Sequence, residues 1–302
     1  MRYHNFLSDS ARWDGVALRP GDIIISPPAK CGTTWTQMIC GLLIFQMPEF
    51  DRPLDLISPW LDMLTRPRAD VVADLEAQTH RRFIKSHTPL DGLPAGHGVT
   101  YVCVGRDPRD VAISMAHHVD NIDFESFFAA WAATIQADGV AELSPPPTPL
   151  SGRDFLLAWI EDSAPPATAA NSLVRTLHHL RTFWAARHRP DVILLHYDDL
   201  HADLPGEMRR LAVRLGIDVP EERWPALVEA ATFAAMRRRA GVVVPDANEH
   251  LWKSPAGFFH SGTSGQWREV FDADLLRRYE SRAQALAPPD LLAWVQRPPL
   301  SA

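Results

Sequence analysis

The feature that most constrains the fold of this 302-residue chain is a short apolar run near its N-terminus. Residues 22–26 read Asp-Ile-Ile-Ile-Ser, and prolines lie close on both sides of them. A β-branched run without polar alternation is typical of a strand that is buried on both faces. Residues 33–46 then space their apolar side chains as a helix does, and Pro48 closes that segment. The sequence therefore predicts a buried strand, a tight loop and a helix in succession.

This strand and helix pattern recurs along the chain. We predict strands at 82–85, 100–104 and 192–196, and helices at 173–187, 204–215, 225–236 and 274–286, with a short helix near 155–160. Residues 138–151 and 162–171 are rich in proline and small residues and are predicted loops that could form a lid. Alternating elements of this kind predict an α/β fold, a doubly wound and mostly parallel sheet flanked by helices. Because no Gly/Ser linker divides the chain, we expect one domain over residues 1–302.

Charge, cysteine content and hydropathy exclude several classes of function. The formal net charge of −7 leaves no basic field for a nucleic-acid backbone, so we expect no nucleic-acid partner. Cys31, Cys40 and Cys103 show neither CxxC spacing nor a cluster with histidine, and we expect no metal site. The apolar run at 39–45 is too short to cross a bilayer, and the first 18 residues lack the apolar core of a signal peptide. The expected protein is cytoplasmic, without membrane insertion.

The loop after the first strand has the composition of an anion-binding site. It leads into a helix N-terminus, where unpaired N–H groups and the helix dipole favour negative charge. Gly32 would let the backbone approach an oxyanion, Lys30 adds a positive charge, and the hydroxyls of Thr33 and Thr34 can donate hydrogen bonds. Because the lysine precedes the glycine, this is not a Walker A loop. The alternative is an ordinary turn whose lysine points to solvent.

A second helix N-terminus follows the strand at 100–104. Asp107 can cap that helix, and Arg106 offers a planar fork for a phosphate. Ser114, two turns further on, adds a hydroxyl. Arg109 and Asp110 fit a surface ion pair, and we give them no catalytic role.

Between these two segments, a predicted strand ends at His87. Histidine has an ordinary pKa near ~6.5 and suits the removal of a proton from a hydroxyl near neutral pH. The alternative is a histidine that is hydrogen-bonded to the backbone at a strand end.

In this order, the three segments resemble those of cytosolic-type sulfotransferases that use 3′-phosphoadenosine-5′-phosphosulfate (PAPS). Residues 30–35 match the pattern K-x-G-T-T-W, 85–89 match K-[TS]-H-x-P, and 106–114 match R-[ND]-P-[KR]-D-x-x-x-S. The resemblance implies PAPS as sulfonate donor and 3′-phosphoadenosine-5′-phosphate (PAP) as product, without a metal. It implies His87 as general base, with Lys30 and Lys85 as further catalytic residues. The implied donor-binding residues in these segments are Lys30, Cys31, Gly32, Thr33, Thr34, Trp35, Arg106 and Ser114.

The C-terminal third carries further matches to the same family. Tyr197 lies in a Y-[ED]-D-[LM]-like segment and Phe233 in an S-F-x-x-M-like segment. With Trp35 they are implied to enclose the adenine, although each could instead be core. Residues 258–267 are similar to the R-K-G-x-x-G-[DN]-W loop at the 3′-phosphate. This implies donor contacts at His260, Ser261 and Gly262, but His260 and Ser261 stand where the family has two basic residues.

The resemblance does not identify the acceptor. Residues 58–61, 81–85 with 88–93, and 286–292 look most like mycobacterial glycolipid-type sulfotransferases, which implies a small-molecule or glycolipid acceptor with a hydroxyl or amine that attacks in line. The expected dimer segment K-x-x-x-T-V-x-x-x-E is unclear, so the oligomeric state is left open. Candidates for lining an apolar acceptor pocket, or for plain core, are Trp60, Met63, Phe124, Phe127, Phe128 and Trp131. The functional alternatives are a P-loop-type kinase and a non-catalytic nucleotide-binding protein on the same fold.

Overall fold

A parallel sheet lies at the centre of the computed structural model, which describes residues 1–140, 150–245 and 250–297. Its strands are β1 (Ile23–Ile25), β2 (Phe83–Lys85), β3 (Thr100–Gly105) and β4 (Val192–His196), in the order β2-β1-β3-β4. Ile24 of β1 pairs in parallel with Ile84 on one side and with Tyr101 on the other. From β1 the chain passes first to β2 at one edge of the sheet and then to β3 and β4 on the other side of β1. At such a reversal of strand order, a crevice forms at the carboxyl ends of the strands.

Helices flank this sheet and confirm the predicted α/β class. Helix α1 packs on β1 and β2, and α7 packs on β3 and β4. In chain order, the helices of the described residues are α1 (Thr33–Phe45), α2 (Leu54–Ile57), α3 (Arg68–Ala77), α4 (Pro108–Asp120), α5 (Phe124–Asp138), α6 (Gly152–Glu161), α7 (Leu173–Ala185), α8 (Tyr197–Ala202), α9 (Leu204–Leu215), α10 (Trp224–Ala230), α11 (Phe233–Arg238), α12 (Ala240–Val243), α13 (Trp267–Val270), α14 (Ala273–Leu286) and α15 (Pro289–Val295).

One predicted helix is wrong in its continuity. The segment predicted as a single helix at 225–236 forms α10 and α11, which are separate. Thr232 accounts for the break, because its hydroxyl accepts the N–H of Ala235 and so starts a new helix. Of the predicted loop at 138–151, residues 141–149 lie outside the described residues.

The core surrounds the central strands. Ile23, Ile24 and Ile25 are fully buried, and each contributes roughly 1.5–3 kcal/mol through burial. All three cysteines are free and buried, and burial raises the pKa of each thiol.

None of the helices in the described part of the chain is long and apolar enough to span a membrane.

Candidate active site

A cavity of about 760 Å³ opens where the carboxyl ends of the strands meet. The segments that follow β1, β2, β3 and β4 each contribute to its wall, as expected for a crevice at this edge of a parallel sheet. The predicted site residues that line it are Lys30, Gly32, Thr33, Thr34, Trp35, Lys85, His87, Arg106, Ser114, Tyr197, Phe233, His260, Ser261 and Gly262. Cys31 differs from these, because its side chain is fully buried in the core and its N–H donates to the carbonyl of Pro28 at 3.3 Å.

The loop between β1 and α1 is shaped for an anion. Lys30 and Gly32 both have positive φ, 65° and 97°. A Cβ atom on Gly32 would lie 3.2 Å from the ring of Tyr197. The positive φ and this close ring both call for glycine at position 32. The hydroxyl of Thr33 is buried at the start of α1 and has no hydrogen-bond partner. Such a group costs about 1–3 kcal/mol unless an acceptor reaches it, and an oxyanion in this loop fits that need.

Lys30 reaches across the cavity to helix α4. Its Nζ donates to Nδ1 of His118 at 3.1 Å and lies 4.7 Å from the centre of the Phe258 ring. Lys30 as a residue is only partly buried, but its ammonium group lies among the side chains of the cavity wall. This burial, with the positive charges of Arg106 and Lys85, lowers the pKa of Lys30 to about 7. The sequence reasoning missed His118, which lies one helical turn after Ser114 and therefore on the same helix face.

His87 is held in one tautomer by a backbone carbonyl. Its Nδ1 lies 2.6 Å from the carbonyl oxygen of Pro27, which can only accept, so Nδ1 carries the hydrogen and Nε2 has a free lone pair. Burial, followed by the charge of Lys85, lowers the pKa of His87 to about 3, and the ring is neutral near pH 7. Lys85 stacks 3.9 Å from the centre of the Trp60 ring, and burial lowers its pKa to about 8.

A buried aspartate fixes the strand end that carries His87. Asp62 accepts hydrogen bonds from the hydroxyls of Ser86 and Thr88 and from the indole N–H of Trp60. The Trp60 ring in turn lies edge-on to the His87 ring, with centroids 4.7 Å apart. Sequence reasoning missed Asp62, because nothing in its local sequence indicates contacts more than 20 residues away.

Arg106 links the two segments predicted to bind anions. Its terminal nitrogens donate to the carbonyl of Lys30 at 2.9 Å and to the carbonyl of Thr263 at 3.0 Å. Its guanidinium stacks 4.2 Å from the ring centre of Tyr197, while its buried Nε has no partner. The side chain is thus committed to the backbone of both loops and keeps further N–H groups for a ligand.

The interpretation of Arg109 and Asp110 as a surface ion pair is wrong. Arg109 pairs with Asp107 at 2.6 Å and stacks 3.6 Å from the ring centre of Trp267. Asp110 is buried, and it accepts the backbone N–H groups of Gly265 at 2.7 Å and Trp267 at 3.2 Å. Asp110 therefore anchors the late loop, residues 258–267, to helix α4.

The late loop lines the cavity and packs through Gly262 against Phe233 of helix α11. Gly262 has a φ of 68°, and a Cβ atom there would lie 2.5 Å from the Phe233 ring. The His260 ring stacks on that of His117, with centroids 3.6 Å apart. Partial burial and the neighbouring His117 lower the pKa of His260. The loop thus presents a histidine pair where the resemblance implies permanent positive charges.

Aromatic residues divide between the cavity and the core. Trp35 and Tyr197 meet edge-on with centroids 5.5 Å apart, and the indole of Trp35 donates to the carbonyl of Ala231 at 2.8 Å. Among the acceptor-pocket candidates, those that line the cavity are Trp60, Met63, Phe124 and Phe127. Phe128 and Trp131 do not line it and pack in a second hydrophobic cluster, as their core alternative predicts.

Comparisons with known proteins agree with this arrangement. Residues 20–288 match the family model of the sulfotransferase domain. The chain is 43% identical over 305 residues to a glycolipid sulfotransferase of Mycobacterium bovis, covering 97% of this chain and 93% of that protein. It is 44% identical over 306 residues to a glycolipid sulfotransferase of Mycobacterium tuberculosis, with the same coverage. A solved mouse sulfotransferase complexed with PAP matches with a TM-score of 0.69 at 16% identity, over 95% of this chain and 91% of that one, which shows likeness of fold alone.

Proposed function

The chain belongs to the sulfotransferase family, and on that basis we propose that it moves a sulfonate group from PAPS to a hydroxyl of a glycolipid or small apolar acceptor. The observation that carries the proposal is the presence of two groups in one cavity. His87 offers an unprotonated Nε2, and Lys30 offers an ammonium beside an anion-shaped loop. The names of the relatives support a glycolipid as acceptor. An amine can attack the sulfonate of PAPS in the same way as a hydroxyl.

Donor binding is assigned to the loops at the strand ends. PAPS supplies an activated sulfonate when bound and leaves as PAP. The backbone at Gly32, the unpaired hydroxyl of Thr33 and the ammonium of Lys30 would hold its 5′ end. Arg106 and Ser114 would hold the 3′-phosphate through N–H and hydroxyl donors, since both line the same cavity. The cavity wall also supplies the aromatic rings proposed to enclose the adenine, Trp35, Tyr197 and Phe233.

His87 is proposed as the general base. Its Nε2 takes the proton of the attacking hydroxyl, while the Pro27 carbonyl holds Nδ1–H and prevents the ring from turning. A pKa of about 3 makes the free imidazole a weak base, and negative charge brought into the cavity raises that pKa. General-base action of this kind contributes about 10²- to 10⁴-fold in rate.

The two lysines are proposed to balance charge. Lys30 stabilises the negative charge that develops on the departing phosphate oxygen, and Lys85 offsets charge on the sulfonate. Both lose part of their positive charge in the free protein because burial lowers their pKa values, and anion binding restores it. Above about pH 7, the site therefore gains positive charge when an anion binds.

The acceptor side of the cavity is largely apolar. Phe124, Phe127, Trp252 and Phe258 lie on its wall with Met63. This surface suits an aliphatic chain, and sulfonation would occur where that surface meets His87. One hydrophobic core runs from Trp13 to Val295, which supports the proposal of a single domain over residues 1–302.

Sulfur-labelled PAPS tests the proposal directly. The protein is incubated with PAPS and a panel of an alkyl glycoside, an alkanol, a phenol and an amine, and products are identified by mass spectrometry. We expect transfer of one SO₃ group to a hydroxyl acceptor. Phosphate transfer from ATP in the presence of Mg²⁺, without sulfonate transfer, would instead favour the kinase alternative. Tight PAP binding without turnover on any acceptor would favour the non-catalytic alternative.

A further inference from the structure

Besides the Thr33 hydroxyl and the Arg106 Nε, two further buried polar groups of residues that line the cavity lack hydrogen-bond partners. They are the hydroxyl of Ser172 and the indole N–H of Trp159, and each side chain belongs to a residue that is only 3% exposed. An unpaired buried donor of this kind costs about 1–3 kcal/mol. Because both residues line the cavity, a ligand that enters it can supply the partner that the protein does not.

Ser172 lies at the start of a helix but lacks the hydrogen bond that a serine usually makes there. It is the N-cap residue of the 13-residue helix α7, with extended backbone, and serine at this position normally caps the first turn. Here the side chain makes no cap hydrogen bond. The hydroxyl is therefore free to rotate toward a ligand oxygen, and it can both donate and accept.

Helix α7 places this N-terminus beside the proposed base. Arg175, one turn after Ser172, donates to the carbonyl of His87 at 3.1 Å and to the carbonyl of Pro166 at 2.8 Å. Both terminal nitrogens of Arg175 are thus engaged by backbone carbonyls. Ser172 and His87 also line the same cavity, so an acceptor that meets His87 can extend toward Ser172.

The surrounding polar groups favour a neutral ligand. Asp162 and Asn171 line the same cavity. One carboxylate oxygen of Asp162 accepts the N–H of Ala164 at 3.0 Å, so the other oxygen can accept from a ligand. The carboxylate of Asp162 and the guanidinium of Arg175 both line the cavity, so their opposite charges select neither an anion nor a cation. Donors at Trp159 and Ser172 beside an acceptor at Asp162 match hydroxyl groups, which both donate and accept.

We propose that Trp159, Asp162, Asn171 and Ser172 form a polyol subsite, which binds the non-reacting hydroxyls of a sugar headgroup while another hydroxyl meets His87. This inference rests on the proposed sulfotransferase function. The apolar wall described above then holds the lipid chain. The ligand class is a neutral glycolipid, and a simple alkanol uses the apolar wall and the base but not the subsite.

Two acceptors that share one alkyl chain test the subsite. Initial rates are measured with PAPS and either dodecyl glucoside or dodecanol, for the wild type, Ser172→Ala and Trp159→Phe. We expect each variant to lose about 3- to 12-fold in kcat/KM with the glucoside, the value of one hydrogen bond, and less than about twofold with dodecanol. The matched control is Ser151→Ala, because Ser151 is also an N-cap without a cap hydrogen bond but is exposed, and it should leave both rates unchanged.

The outcomes separate this inference from the proposed function. Equal losses with both acceptors in Ser172→Ala, or no loss with either, overturn the subsite. Sulfonation of dodecanol but not of dodecyl glucoside by the wild type overturns it as well, while the proposed function stands. If the wild type transfers sulfonate to neither acceptor, the proposed function fails and the subsite with it. Thermal unfolding of each variant is followed by circular dichroism. If Trp159→Phe does not fold, Ser172→Ala still tests the subsite.

Discussion

The charge of Lys30 should make PAP binding depend strongly on pH, and Lys30→Arg should remove most of that dependence. In the free protein, burial and the charges of Arg106 and Lys85 lower the pKa of Lys30 to about 7. The lysine therefore loses its proton as the pH rises through 7, whereas a bound anion favours the protonated form. Affinity is then greatest at and below about pH 7 and falls as the pH rises toward the pKa of the complex.

The expected size follows from proton linkage. If the pKa of Lys30 returns to its ordinary 10.5 in the complex, the Kd for PAP rises about 25-fold between about pH 7.5 and pH 9 from this residue alone. The phosphates of PAP add little over this range, because their second pKa lies near about 6. Lys85, with a pKa of about 8, adds a smaller factor that Lys30→Arg retains. Arginine stays charged throughout this pH range. The 25-fold change in the Kd for PAP (about 1.9 kcal/mol) should therefore be absent from the Lys30→Arg variant.

Isothermal titration calorimetry can measure both quantities. PAP is titrated at pH 7.5, 8 and 9 in two buffers with different heats of ionisation, which yields the Kd and the number of protons taken up. At about pH 8, we expect the wild type to take up about 0.9 more protons per PAP than Lys30→Arg. Lys30→Met serves as a second control, because it removes the same proton uptake along with the charge. Equal proton uptake and equal pH dependence in the wild type and Lys30→Arg would refute the reasoning.

Three further substitutions test separate parts of the site. His87→Asn should preserve PAP binding in calorimetry while turnover falls by about two to four orders of magnitude, less with a phenol that ionises near assay pH; near-normal turnover with an alcohol would place the base elsewhere. Arg106→Ala should weaken PAPS more than adenosine 5′-phosphosulfate, measured by competition, and an equal effect on both would assign it a purely structural role. Gly262→Ala should weaken PAP binding, because the added methyl group meets the Phe233 ring. The control Gly139→Ala has a similar φ of 63° but open space around it, so it should lower only the melting temperature. Equal PAP affinity in these two variants would contradict the steric argument.

Local patterns in the sequence predicted the fold class well. The isoleucine run of β1 and the helical spacing of α1 depend on neighbours along the chain, so the strand, loop and helix could be predicted together. The break between α10 and α11 was missed because apolar spacing continues across Thr232 while the backbone does not. Capping at that residue outweighed the periodicity.

Long-range contacts in the site had no comparable signal. Asp110 meets Gly265 across 155 residues, and Lys30 meets His118 across 88 residues. Nothing local distinguishes Asp110 from an exposed aspartate on a helix, so its burial follows only from how α4 and the late loop pack. The donor-binding and catalytic roles implied by the resemblance remain predictions, to be tested as described above.

The anchoring of the late loop by its main chain bears on how this site can evolve. Asp110 holds the N–H groups of Gly265 and Trp267, and Arg106 holds the carbonyl of Thr263. Every residue type except proline offers the same N–H, and every residue offers the carbonyl, so these restraints are indifferent to the side chains at positions 260 and 261. Substitutions there give up the stacking of His260 on His117 and the hydrogen bond from Gln266 to Ser261, but these main-chain restraints remain while the charge that faces the cavity changes. Such tolerance would let donor affinity drift by single substitutions, with no intermediate in which the loop has lost its attachment.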